Sequence, residues 1–176
     1  MGGLVIRLER KEEFPAIFDL VRIAFETAKV KDGDEQHYVD RLRASEDYIP
    51  ELALVAEVDG RLAGHIMFTH VALKTGDGRA VRTLVLAPLS VVLEYRGRGI
   101  GGALLREGLR RAADMGFEGV FLAGDPAYYG HFGFTAASEF GVAYTGEIPP
   151  QFVLAYELRP GALADSSVNI EAHTKE

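Results

Sequence analysis

The chain has 176 residues, 48% hydrophobic and 26% charged, with 26 acidic against 19 basic side chains and a formal net charge of −7. These proportions belong to a globular protein of one ordinary domain, and the acidic balance argues against non-specific binding to nucleic acid. The absence of cysteine excludes a disulfide framework, a thiolate metal site and a cysteine nucleophile, and fits a reducing cytoplasm.

The apolar run in MGGLVIRLERKEE is too short for a signal peptide, and the longest apolar stretches have the length of strands, so no membrane span is expected. Leu4, Ile6 and Leu8 alternate with Val5, Arg7 and Glu9, predicting a strand with one buried face. From Lys11 the period lengthens: Phe14, Ile17, Phe18, Val21 and Phe25 predict an amphipathic helix to about Ala28. Lys29 to Asp34 is a charged connection, and Tyr38, Val39 and Leu42 mark a second helix that stops near Ser45. Leu52 to Val58 and Arg61 to about Leu73 are two strands joined by the hairpin signal Asp59-Gly60.

The run from Val81 to Leu93 is nearly continuous in apolar residues, as in a strand buried on both faces, with a break expected at Ala87-Pro88 because proline cannot donate to a ladder. A helix from Ile100 to about Met115 ends at Gly116, and a strand follows over Glu118 to Ala123. Asp125-Pro126 reads as an N-cap and first helical residue of a short helix through His131. Phe134 to Tyr144 and Phe152 to Leu158 are the last two strands. The result is a single α/β (α+β) domain over residues 1–163, with a polar, aperiodic tail over residues 164–176 expected to be unfolded.

The chemistry concentrates in Arg96-Gly97-Arg98-Gly99-Ile100-Gly101-Gly102, between a buried strand and a helix. The first amides of a helix lack intrahelical partners and carry the positive end of its dipole. Glycines let a ligand approach that backbone, and two arginines add positive charge, which together suit a pyrophosphate. A triphosphate loop is excluded, because the Lys-Ser/Thr pair is missing. A dinucleotide fingerprint is disfavoured: the spacing from Gly97 is G-x-G-x-G-G, and the loop sits mid-chain after a hairpin region.

Arg96, Gly97-Arg98, Gly99, Ile100, Gly101, preceded by Leu89 to Tyr95, closely resembles the coenzyme-A-binding motif of the GNAT superfamily of N-acetyltransferases. Tyr129-Gly130-His131-Phe132-Gly133-Phe134 resembles that family's Tyr, three residues, Gly-Phe signature, and Gly124 to Tyr129 is similar to its YhbS-like branch of predicted acetyltransferases. The resemblance, which covers Leu4 to about Arg159, implies a mixed, mostly antiparallel sheet of about seven strands with about four helices. It also implies a splay between the fourth and fifth strands that admits the pantetheine arm as an added strand. Leu89, Ser90 and Val91 would then offer backbone groups to that arm, and Arg96, Gly97, Arg98, Gly99, Ile100, Gly101 and Gly102 would hold the pyrophosphate. Tyr128 and Phe132 are expected to border the coenzyme. The implied activity is acetyl transfer from acetyl-CoA to a primary amine of a small molecule or peptide, with no metal and with dimerisation common among relatives. Tyr129 matches the general-acid position and the Val91 amide is the candidate oxyanion donor. The alternative is a coenzyme A or acyl-CoA sensor without turnover. Leu93 stands where relatives often have proline.

Successive residues on a helix face different ways, so one of Tyr128 and Tyr129 is expected to reach the sulfur, and the spacing to Gly133-Phe134 selects Tyr129. No residue is assigned as the base. His65 and His70 have opposite parity on their strand, His131 is two residues from Tyr129, Asp125 reads as a cap, and Glu94 as a solvated charge. The acidic Asp32, Asp34 and Glu35 would suit a cationic acceptor.

Overall fold

The computed structural model describes residues 3–27 and 33–171. Strand β1 (Leu4–Leu8) pairs antiparallel with β2 (Tyr48–Val58), which turns into β3 (Arg61–Val71) through Asp59 at φ 50° and Gly60 at φ 81°. Two consecutive left-handed residues are what a two-residue type I′ hairpin needs. A 3-10 turn at Lys11–Glu13 leads into helix α1 (Phe14–Phe25), and α2 (Glu35–Arg43) follows. The later elements are β4 (Leu73–Thr75), β5 (Thr83–Val91), α3 (Ile100–Asp114), β6 (Gly119–Ala123), α4 (Pro126–Tyr129), β7 (Thr135–Ala136), β8 (Val142–Tyr144), β9 (Val153–Glu157) and β10 (Ser166–Val168).

Seven strands form one mixed sheet in the order β1-β2-β3-β5-β6-β9-β7, antiparallel throughout except for the parallel pair β5–β6. Alternation along the central strands sorts side chains to two layers. Ala53, Val55 and Met67 face α1 and α2, packing with Ile17, Val21, Val39 and Leu42. Leu54, Ile66, Phe68 and Leu84 face α3 and pack with Ile100, Leu104 and Leu105. Any side chain at Gly108 would run into the Phe68 ring, so this glycine lets α3 lie close to the sheet.

The splay implied for the fourth and fifth strands of the sheet lies between β5 and β6. They pair only over Thr83–Gly119, Leu84–Val120 and Val85–Phe121. Beyond Val85, β5 continues to Val91 on β3 alone, while β6 continues to Ala123 on β9. One backbone edge of Leu86 to Val91 is therefore left without a neighbouring strand, and the wedge opens toward the N-terminus of α3.

The structure corrects four sequence expectations. Pro88 does not break its strand: Ala87-Pro88 is a cis peptide within β5, and the register slips by one residue there, from Phe68–Leu86 to Ile66–Leu89. The proline is tolerated because a bulge, and the missing β6 neighbour, ask for no amide donor at that point. Phe134 to Tyr144 is not one strand: β7 gives way to a 3-10 turn at Ala137–Phe140, and Gly141 at φ 79° redirects the chain into β8. The strand from Arg61 ends at Val71, and β4 leaves for a second sheet, β4-β10-β8. The central strand of that sheet comes from the tail expected to be unfolded: Val168 and Ile170 bury against Phe121, Val142 and Leu163. Ala28, where the first helix was expected to end, lies outside the described residues, as do residues 172–176 of the tail.

Candidate active site

The loop after β5 makes a 3-10 turn at Leu93–Tyr95 and enters α3 through Gly97 and Gly99, at φ 77° and 79°. A Cβ at either position would meet nothing, so glycine is required there by backbone conformation. Gly101 and Gly102 matter for a different reason, the close approach of two aromatic side chains. A Cβ on Gly101 would lie 2.5 Å from Tyr128 Oη, and one on Gly102 would lie 2.9 Å from the Phe132 ring. Their lack of side chains lets these two rings close over the first turn of α3.

The cleft beside this loop has a volume of about 630 Å³. Of the residues read from sequence, Leu89, Ser90, Val91, Arg96, Gly97, Gly99, Ile100, Gly101, Gly102, Tyr128, Tyr129 and Phe132 line it together. Arg98 does not; its guanidinium sits over the Tyr95 ring, 5.4 Å from the centroid. Four lining residues were missed: Ala24 and Phe25 at the end of α1, Tyr95, and Arg106. Arg106 lies one helical turn beyond Gly102 on the same face of α3, a spacing that was available in the sequence.

The Arg96 side chain was expected on the pyrophosphate and is engaged elsewhere. Its Nη2 donates to the Ala24 carbonyl at 2.6 Å, its Nη1 to Thr27 Oγ1 at 2.5 Å and its Nε to the Val91 carbonyl at 3.1 Å. A cation at the last carbonyls of a helix is favoured by the dipole. Arg96 thus fastens the end of α1 to the glycine loop, and the cation that borders the cleft beside the rings is Arg106.

One tyrosine is expected at the sulfur, yet both rings border the cleft, meeting edge to face at 4.9 Å. They differ in depth. Tyr128 is 40% exposed and lies over α3. Tyr129 turns inward, with its ring against Gly124 and 5.9 Å from Phe134. Burial pushes its phenol above the ordinary range, and Tyr128 and Asp125 add to the rise. Asp125 is the expected cap, accepting from the Ala127 amide at 2.9 Å.

On the α1–α2 side of the central sheet lies a polar cluster that sequence reading did not assemble. Glu9 accepts from Arg43 Nε at 3.0 Å and Nη2 at 2.7 Å, from the Tyr48 hydroxyl at 2.6 Å, and bonds His65 Nε2 at 3.0 Å. The His65 and Glu9 side chains are 0% and 2% exposed. Burial alone would raise the Glu9 carboxyl, but the hydrogen bonds from His65, Arg43 and Tyr48 outweigh it and hold the pKa at about 2. Burial lowers the His65 pKa, against the opposing pull of Glu9.

Both shifts give stability that falls with acid. Glu9 contributes above its ordinary 4.5 and loses that contribution as pH drops towards 2, about 3 kcal/mol across the window. The ring of His65 stays neutral in the native state below its ordinary 6.5, where an unfolded histidine takes a proton, so it acts in the same direction. Thermal unfolding followed from neutral pH down through this range should therefore show a steadily falling midpoint. Glu9→Gln should lower the midpoint at neutral pH and flatten its fall below pH 4.5; a wild-type midpoint independent of pH would contradict the assignment.

The remaining histidines lie elsewhere. His70 is exposed and packs on Phe117 at 5.4 Å, and His131 lines a separate hollow between α3 and β9. In the acidic connection Asp34 pairs with Arg41 at 2.9 Å and Glu35 accepts from the Gly33 amide at 3.2 Å, while Asp32 lies outside the described residues. Among the described residues no helix is long and apolar enough to cross a membrane, and no three His, Asp or Glu side chains group to hold a metal ion.

Residues 5–137 match the family model described as an acetyltransferase (GNAT) domain. The chain is 39% identical over 100 residues to the uncharacterized N-acetyltransferase YjhQ of Escherichia coli K12, a match that spans 57% of this chain and only 55% of YjhQ. It is 35% identical over 136 residues to the uncharacterized N-acetyltransferase YhbS of the same strain, covering 77% of this chain and 75% of YhbS. The crystal structure of Escherichia coli YhbS in complex with CoA superposes with a TM-score of 0.84 at 26% identity, covering 99% of this chain and 93% of that one. A GNAT family acetyltransferase from Brucella melitensis in complex with acetyl-CoA gives a TM-score of 0.78 at 30% identity, covering 99% and 100%.

Proposed function

The chain belongs to the GNAT acetyltransferase family, and from that premise we propose that it transfers the acetyl group of acetyl-CoA to a primary amine, with Tyr129 as general acid. One observation carries the reading. The unpaired edge of β5, the glycine-built N-terminus of α3 and the Tyr129 ring all border a single cleft. Each wall suits one part of an acyl coenzyme A. The free amides in the first turn of α3 suit the pyrophosphate, with Arg106 adding positive charge. The backbone of Leu89, Ser90 and Val91 suits the amide-bearing pantetheine arm, as strand addition requires. Tyr128 and Phe132 close over the same turn and exclude water from the coenzyme's path.

Acetyl-CoA supplies an activated thioester; the chain supplies position, hydrogen bonds and a proton. The Val91 amide is the donor for negative charge developing on the carbonyl oxygen. Tyr129, held protonated by burial, gives its proton to sulfur as charge builds there. A non-catalytic sensor needs the coenzyme cradle but not a buried phenol at the head of the wedge, so the placement of Tyr129 favours turnover.

The test is release of coenzyme A thiol from acetyl-CoA by the purified protein in the presence of spermidine, kanamycin, phenethylamine or an alanyl peptide, with acetylated product followed by mass spectrometry. Amine-dependent release with a matching acetylated product is expected. Tight acetyl-CoA binding with no amine-dependent release across these acceptors would favour the sensor instead.

A further inference from the structure

Acetyl transfer, on the reading above, requires the attacking nitrogen to lose a proton, and four of the five groups considered from sequence are not placed to take it. Asp125 caps α4, Glu94 and His70 are exposed, and His131 lies outside the cleft. The geometry points to His65 as the acceptor of that proton, reached from the cleft through Ser90 and held for the task by Glu9.

Ser90 lines the cleft and stands directly opposite His65 in the β3–β5 ladder. Directly opposed residues share a face, with Cβ atoms about 4.5–5.5 Å apart. Both side chains are buried, and neither Ser90 Oγ nor His65 Nδ1 has a hydrogen-bond partner among the described residues. Stability alone disfavours leaving two buried polar atoms unpaired, one of them on a residue that lines the cleft. Transfer of a proton needs such a pair: a hydroxyl that both donates and accepts, and a ring nitrogen with a lone pair to offer.

The ring's tautomer follows from its other partner. Glu9 stays ionised, gripped by Arg43 from α2 and Tyr48 from β2, and an ionised carboxylate only accepts. The hydrogen bond at 3.0 Å therefore places the ring proton on Nε2 and leaves Nδ1 as the base. The polar side chain opposite the ring on β5 is the uncharged Ser90 hydroxyl. Burial lowers the affinity of the ring for a proton, so it is neutral at working pH and competent to accept one. The Glu9 carboxylate then stabilises the imidazolium that forms.

The step balances. The amine nitrogen bonds the acetyl carbon as the carbon–sulfur bond breaks. One N–H proton passes to Ser90 Oγ while the Ser90 proton passes to His65 Nδ1, and the Tyr129 proton goes to the leaving sulfur. The imidazolium returns its proton to solvent and the phenolate regains one, leaving amide and free thiol.

Ser90→Ala and His65→Gln separate this role from a structural one. Nitrogen NMR of histidine-labelled wild type should show His65 neutral with the proton on Nε2 at neutral pH; a ring protonated on Nδ1, or on both nitrogens, overturns the proposal. With the best amine of the four above, Ser90→Ala should lower kcat about 10-fold or more, and His65→Gln about 100-fold with loss of the acid limb of the rate–pH profile. Acetyl-CoA affinity and thermal midpoint should hold in Ser90→Ala, because the coenzyme is offered only its backbone there. If Ser90→Ala keeps wild-type kcat and pH profile, the cluster is structural and the proposal fails while the acetyltransferase reading stands. A folded wild type that binds acetyl-CoA and acetylates none of the amines sinks that reading, and this role with it. If His65→Gln does not fold, the tautomer and Ser90→Ala still decide.

Discussion

Gly101→Asp is expected to abolish acetyl-CoA binding and leave the fold standing. Gly101 is the second residue of α3, in the turn whose unpaired amides face the cleft. A carboxylate in the first turn of a helix favours the dipole, so helix stability should be held or slightly raised. The same charge opposes a pyrophosphate. Two unit charges about 4 Å apart repel by about 4 kcal/mol at an effective dielectric near 20, which is about 1,000-fold in Kd. Steric conflict adds to it, since even a Cβ would approach Tyr128 Oη to 2.5 Å. Gly101→Ala isolates that steric part: the conflicting atom is the end of a half-exposed side chain that can turn aside, so a far smaller loss is expected. Calorimetric titration of the two variants, with thermal unfolding as the check on folding, separates charge from bulk. Unaltered binding by a folded Gly101→Asp protein would place the pyrophosphate elsewhere.

Tyr129→Phe should lower kcat about 100-fold and leave acetyl-CoA affinity nearly unchanged. The ring fills the space between Gly124 and Phe134, and phenylalanine keeps that contact. The Tyr129 hydroxyl has no hydrogen-bond partner among the described residues, so its removal breaks no bond of the fold and the thermal midpoint should hold. The loss then belongs to the proton given to sulfur. Tyr128→Phe is the matched control: it removes the more exposed hydroxyl of the pair and should cost much less. Equal effects from the two substitutions, or full activity in Tyr129→Phe with several amines, would remove Tyr129 from the acid role.

The parts of this molecule that were legible in its sequence are those set by neighbours along the chain. A hairpin at Asp59-Gly60, a helix stopped by Gly116 at φ 88° and a cap at Asp125 depend on a few adjacent residues. So does the glycine-rich entry to α3, and most of the cleft was read from it together with Tyr128 and Tyr129. What escaped depends on contacts distant in sequence. Ser166–Val168 looks like polar tail until β4 and β8 flank it, and only then do Val168 and Ile170 have a core to enter. The Pro88 break was misjudged because the tolerance of a proline depends on whether a neighbouring strand asks for its amide. The Glu9 cluster draws on residues 9, 43, 48 and 65, no two of which suggest one another by spacing. Arg96 shows the limit of motif reading: its position matches the family pattern, while its guanidinium reaches back to Ala24 in α1 and to Thr27 just beyond it.

Isothermal titration of the wild-type protein with acetyl-CoA bears most directly on the central claim, since the acid, the oxyanion donor and the proton route all presuppose the coenzyme in the wedge between β5 and β6. Saturable one-to-one binding in the micromolar range, competed by free coenzyme A and lost in Gly101→Asp, is expected. A folded protein that takes up neither acetyl-CoA nor coenzyme A would contradict the assignment of the cleft, and the roles of Tyr129, Ser90 and His65 would fall with it.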